Sequence, residues 1–100
     1  MIVVRFKVRC QSGKTEPLIA VFKEVISASR SLDGVVSFDI ARDLAEPDSF
    51  VAVEVFADKD ALERQESLAE TQKAISLLGE VAAGSPEATI FHVSSSEPWG

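Results

Sequence analysis

The chain has 100 residues, a formal net charge of −6 and a single cysteine. This length suits one domain built around one hydrophobic core. The acidic balance and the lack of a Lys/Arg cluster argue against binding to nucleic acid or to an anionic membrane, since both require a basic surface. No apolar run reaches the length of a bilayer span, and the N-terminus lacks the order of a signal peptide. One cysteine provides no internal disulfide, which favours a cytoplasmic location.

The first half of the chain predicts a strand, a helix and a second strand. Residues 2–9 alternate between apolar and basic side chains, which is typical of a strand with one buried face. Thr15 is a candidate N-cap for a helix over about 16–32, where apolar residues recur at helical spacing. Gly34 follows as a residue that accepts the left-handed conformation at a helix end. The second strand is predicted at 35–42.

The second half of the chain predicts a strand, a broken helical stretch and a last strand. The predicted elements are a turn-rich loop at 43–48, a third strand at 50–56, a short helix ending at about Gln65, a further helix, and a fourth strand at 87–93. Ser67 and Glu70 are spaced as a capping box for the further helix. The order β-α-β-β-α-β predicts an α+β, ferredoxin-like fold. We expect one domain over 1–100, with its core at 2–93 and a polar tail at 94–100.

The third strand carries the most informative residue, Glu54. Alternation places Phe50, Ala52, Glu54 and Phe56 on one face, so a carboxyl group lies among aromatic rings. Burial there raises a carboxyl pKa towards neutrality, which suits a general base. The alternative is a structural acid that pairs with an arginine or caps a helix. We also predict Phe38, Phe50 and Phe56 as walls of a substrate pocket.

Other polar residues are weaker candidates for the site. His92 is a candidate acid or base, but the alternation of the last strand suggests that Phe91 and Val93 face the core and that His92 faces a partner subunit or solvent. Arg42 is either a cation of the pocket or a charge at the strand end. Trp99 covers the pocket mouth, covers a subunit edge, or remains free. No residue spacing typical of a metal site is present.

Three segments, in this order, resemble the antibiotic biosynthesis monooxygenase domain. They are Asp33–Ile40, the loop Glu46–Phe50, and Glu54–Leu62, and the similarity extends from Ile2 to about Val93. The resemblance implies a dimeric α+β barrel in which the sheets of two subunits pack together. It also implies that Glu54 and Phe56 lie on the pocket side of the sheet.

The resemblance implies several possible activities. Members of the family include cofactor-independent oxygenases of quinols and polycyclic aromatics, haem-degrading enzymes, small-molecule isomerases and proteins of no known activity. The family often carries histidines on the helical stretch after the third strand, where this chain has Gln65 and Glu70. The chain also lacks Asn and Tyr, residues that the haem-degrading and polyketide-oxidising branches use.

Two functions therefore remain open. The first is a cofactor-independent monooxygenase, a homodimer without metal, that acts on a small aromatic or quinol substrate. The second is a non-catalytic dimeric protein of the same fold that binds a small molecule or is associated with stress. An isomerase of a small carbonyl compound is a third alternative.

Overall fold

A computed structural model describes all residues, 1–100, and has the predicted order of elements. The strands and helices are β1 (Ile2–Arg9), α1 (Thr15–Arg30), β2 (Val35–Arg42), β3 (Ser49–Phe56), α2 (Lys59–Glu66), α3 (Ala69–Val81) and β4 (Glu87–His92). The four strands form one antiparallel sheet in the order β2-β3-β1-β4. This is the predicted ferredoxin-like α+β arrangement. None of the helices is long and apolar enough to cross a membrane.

One face of the sheet packs against the helices, and the register identifies it. Val4 on β1 pairs with Glu54 on β3, which pairs in turn with Phe38 on β2. Directly paired residues on neighbouring strands point to the same side of the sheet. These three residues therefore share the helix-facing side. The fully buried Leu18 of α1 and Phe56 of β3 belong to the core beneath the helices.

The opposite face of the sheet has no helix over it. The apolar side chains on this open face are Val3, Val51, Val53, Val55 and Phe91. Val53 and Phe91 are 41% and 48% exposed. Lys7, also on this face, forms an ion pair of 3.2 Å with Asp43. The open face is therefore a mixed surface with an apolar centre.

Gly34 is required at the α1–β2 connection for two separate reasons. Its φ of +85° lies in the left-handed region, as the sequence predicts. A Cβ at this position would also lie 2.7 Å from the Cβ of Ala61 on α2. Gly34 thus allows α2 to pack closely against the connection.

Two predicted helix caps were wrong. Thr15 is the first residue of α1 instead of its cap, and Lys14 at the cap position makes no side-chain hydrogen bond. Ser67 does not form a capping box with Glu70, because its hydroxyl donates to the main-chain oxygen of Glu63 and so completes α2. The side-chain cap that does occur is Asp58 at the start of α2, which accepts from the amide of Ala61 at 2.9 Å.

Candidate functional site

A cavity of about 210 Å³ lies between the sheet and the helices. Its apolar walls come from the strands β1, β2 and β3 and from the helices α1 and α3. They are Phe6, Phe22, Val25, Phe38, Ile40, Phe50, Ala52, Ala74, Ile75 and Leu78. The polar residues of the lining are Glu54, Gln65, Glu66 and Thr71. A concave apolar site with a few convergent polar groups is the usual form of a small-molecule site.

Glu54 is the partly buried acid in this cavity. None of the side-chain hydrogen bonds or ion pairs of the structure involves it, so it neither pairs with an arginine nor caps a helix. Burial, followed by the negative charge of Glu66, raises the pKa of Glu54 to about 7. A carboxyl group with this pKa can accept and release a proton near neutral pH.

The predicted aromatic walls divide into two groups. Phe38, which pairs with Glu54, and Phe50, four residues before Glu54 on β3, both line the cavity. Phe56 does not line it, and the prediction that it is a pocket wall was wrong. Its side chain is fully buried at the other end of the strand, opposite Ile2, because the core closes there beneath α2.

Arg42 lies beside the Glu54 cavity and outside it. Its guanidinium Cζ is 5.3 Å from the centre of the Phe50 ring, a cation–π contact. It lines a second cavity of about 290 Å³. Phe22 and Phe50 line both cavities, and their rings meet edge to face with centres 5.5 Å apart. Ile40 also lines both, so these three side chains lie between the Arg42 cavity and the Glu54 cavity.

His92 is exposed and does not reach the Glu54 cavity. On β1, His92 pairs with Ile2 and Glu54 pairs with Val4. His92 therefore lies on the same face as Glu54, two strands across the sheet and two residues along it. At ordinary strand spacings this separation is about 12 Å. The prediction that Phe91 faces the core was wrong, because the register places His92 on the helix-facing side and Phe91 on the open face. β4 is an edge strand that no helix covers, so both of its faces are exposed.

Trp99 is fully exposed and covers neither the cavity mouth nor the helices. The structure also contains no cluster of three His, Cys, Asp or Glu residues that could hold a metal ion.

Three residues of the lining were not singled out as site residues from the sequence. The resemblance to the family marks Gln65 only as the replacement of a histidine, and no sequence pattern marks Glu66 or Thr71. Gln65 is 3% exposed and donates from Nε2 to the hydroxyls of Ser29 at 3.2 Å and Thr71 at 3.0 Å. A glutamine at a helix position that faces the core was the available signal, since a buried amide needs defined partners.

The family model for antibiotic biosynthesis monooxygenases matches residues 1–76. The chain belongs to this family. The match includes β1 to β3, both α1 and α2, and all the polar residues of the cavity. A search of curated proteins finds no match.

Solved structures support the fold of this antibiotic biosynthesis monooxygenase domain. A Nitrosomonas europaea protein provisionally described as an antibiotic biosynthesis monooxygenase is 18% identical with a TM-score of 0.88, over 95% of this chain and 100% of the other. A Mycobacterium tuberculosis protein is 16% identical with a TM-score of 0.88, over 97% and 98% of the two chains. A Shewanella oneidensis protein is 25% identical with a TM-score of 0.84, over 92% and 89%.

Proposed function

We propose that this chain is a cofactor-independent monooxygenase of a small, flat phenol or quinol, with Glu54 as the general base. The observation that carries the proposal is an unpaired carboxyl group, with a pKa of about 7, in an aromatic cavity. The cavity walls suit a flat aromatic ring, and Phe38, the cross-strand partner of Glu54, stands next to the base. Family membership supports the same class of chemistry.

The reaction requires a substrate that is itself the reductant. Glu54 takes the hydroxyl proton, and the resulting electron-rich anion transfers an electron to O₂. The two radicals combine at a ring carbon to form a peroxide, which loses water and leaves one oxygen on the ring. For a naphthoquinol, the balance is naphthoquinol plus O₂ to hydroxynaphthoquinone plus water. The chain contributes placement, exclusion of water and the proton acceptor.

We also propose that two copies associate through the open face of the sheet. Val53 and Phe91 support this proposal, because large apolar side chains are exposed there without a covering element. The helix-facing cavity lies on the other side of the sheet, so each copy keeps its own Glu54 site.

Oxygen consumption tests the catalytic proposal. The wild type, Glu54→Gln and the matched control Glu63→Gln are compared with a panel of naphthoquinols and hydroxylated polycyclic aromatics, against autoxidation without protein. We expect wild-type and Glu63→Gln turnover to be equal, because Glu63 is exposed on α2 and outside the cavity. We expect Glu54→Gln to lower kcat by about 100-fold or more, the typical contribution of a general base.

A binding function without turnover is the second candidate. The only titratable groups in the cavity are Glu54 and Glu66. Glu54 has no histidine or other general acid beside it, so its carboxyl group would serve ligand recognition equally well. Tight binding of an aromatic diol without any O₂ consumption across the panel would favour this function over the oxygenase. Turnover that is unchanged in Glu54→Gln would overturn the role of Glu54.

A further inference from the structure

The side-chain amide of Gln65 has only one possible orientation. The single hydroxyl proton of Thr71 is donated to the main-chain oxygen of Gln65 at 2.8 Å. Thr71 Oγ1 can therefore only accept from the Gln65 side chain, so the group that faces it must be the NH₂. The second proton of this NH₂ is donated to Ser29 Oγ. Both amide protons are used within the protein.

The remaining atom of the amide, Oε1, faces the cavity. No hydrogen bond of the protein ends on this oxygen. Every side-chain nitrogen or oxygen that is fully enclosed in the structure has a partner, so Oε1 must reach accessible space. Gln65 is otherwise buried, and the space that it lines is the Glu54 cavity. Gln65 thus presents a fixed hydrogen-bond acceptor to a ligand.

The polar groups of the cavity all act as acceptors when Glu54 is ionised. Glu54 and Glu66 accept through their carboxylates, Gln65 accepts through Oε1, and the proton of Thr71 is already used. No Lys, Arg or His lines the cavity. A ligand must therefore supply the hydrogen-bond donors, and an anion would bring a second or third negative charge into an apolar space without a counter-ion.

We propose that Gln65 determines specificity, and that the cavity selects an uncharged aromatic with two hydroxyl donors, one for Glu54 and one for Gln65 Oε1. This inference rests on the proposed function for the assignment of the first hydroxyl to Glu54. Proton transfer to Glu54 moves the negative charge of this carboxylate onto the substrate without adding a charge to the cavity. A quinone product has carbonyl acceptors in place of donors, so Gln65 Oε1, which has no proton to donate, binds the product more weakly than the substrate.

Ligand binding under argon tests this inference without turnover. Calorimetry is used to measure the affinities of a naphthalenediol, its monomethyl ether, its dimethyl ether and the corresponding hydroxynaphthoate for the wild type, Gln65→Leu and the control Gln11→Leu. Gln11 is exposed and outside the cavity. We expect the wild type to bind the diol about 10-fold more tightly than the monomethyl ether, because an unpaired acceptor remains beside the ether.

The ratio of diol to monomethyl ether affinity separates recognition from structure. We expect it to fall to about one in Gln65→Leu and to stay unchanged in Gln11→Leu, whereas a merely structural change would weaken both ligands equally. We expect the hydroxynaphthoate to bind more weakly than the diol. A wild-type ratio near one, or a hydroxynaphthoate as tight as the diol, overturns the inference even if Gln65→Leu fails to fold.

The oxygenase proposal and the role of Gln65 are tested by different measurements, O₂ consumption and the affinity ratio. A preserved affinity ratio without O₂ consumption would contradict the oxygenase and support Gln65 as the residue that determines ligand specificity. O₂ consumption with an affinity ratio near one would support the oxygenase and contradict the role of Gln65.

Discussion

Glu66, in the last turn of α2, and Glu54, on β3, line the same cavity, and the charge of Glu66 adds to burial in raising the pKa of Glu54 to about 7. Burial is the larger cause and Glu66 the smaller one. Glu66 on α2 thus raises the pKa of Glu54 on β3 through its charge, without a direct hydrogen bond between them.

Glu66→Gln should lower the pKa of Glu54 but leave it above the ordinary value of 4.5. The neutral amide removes the charge repulsion, while the burial of Glu54 persists. Carbon-detected NMR of the glutamate carboxyl groups can follow the titration directly, with Glu63→Gln as the control. An unchanged midpoint would remove Glu66 as a cause, and a fall to 4.5 would show that burial is not the larger one.

The stability of the protein should decrease as the pH rises from about 4.5 to about 7. The folded state keeps a proton on Glu54 in this range, whereas the unfolded chain has lost it, so the free energy of unfolding falls with pH. The full shift corresponds to roughly 3 kcal/mol. Denaturant unfolding of wild type and Glu54→Gln across this range can measure it.

The difference between the two proteins is the informative quantity, because other groups titrate equally in both. We expect wild type to lose stability relative to Glu54→Gln between pH 4.5 and 7 and to run parallel to it at higher pH. A difference that is constant with pH would mean that Glu54 has an ordinary pKa in the folded state.

Gly34→Ala should destabilise the fold more than Gly13→Ala. Both glycines have left-handed φ values, +85° and +79°, so both variants carry the backbone penalty of about 1–2 kcal/mol. Only at Gly34 does the added Cβ meet another atom, the Cβ of Ala61 at 2.7 Å, whereas nothing lies within 4 Å at Gly13. Overpacking should add about 1–3 kcal/mol in the free energy of unfolding. Equal losses would contradict the close packing of α2.

Val53→Glu should shift the protein towards a monomer if copies associate through the open face. The introduced charge would be buried without a partner at the centre of that interface. Leu44→Glu is a suitable control, because Leu44 is fully exposed in the β2–β3 loop. Sedimentation velocity at micromolar concentration can compare the two variants with wild type. A wild type that is already monomeric would contradict the association itself.

Apolar periodicity, of helical spacing in the helices and of alternation in the strands, predicts the order of elements, and alternation predicts the face of Glu54. It works for β1 and β3 because one side of these strands is covered by helices and the other is not, so burial differs between alternate residues. The same pattern misled at β4. It predicts that Phe91 faces the core, but an edge strand without a covering helix has no such difference between its faces.

The composition of the cavity depended on contacts that the sequence does not display. Arg42 shares the face of Glu54, yet the rings of Phe22 and Phe50 place it in a different cavity. The orientation of Gln65 follows from hydroxyls on α1 and α3, and the chain places these 36 residues before it and 6 residues after it. Sequence periodicity predicts which side of a helix or strand is buried. It does not predict that the hydroxyls of Ser29 and Thr71 contact the amide of Gln65.

The edge-to-face pair of Phe22 and Phe50 has a consequence for the range of molecules that this scaffold can accommodate. The two rings and Ile40 lie between the Glu54 cavity, whose charged residues are both acids, and the Arg42 cavity. Truncation of Phe50 to alanine would join the two spaces into an elongated site with a carboxyl group at one end and a guanidinium at the other. The side chains shared by the two cavities therefore limit both the length and the charge of the molecules that can enter, and the replacement of Phe50 is a short evolutionary route to new substrates.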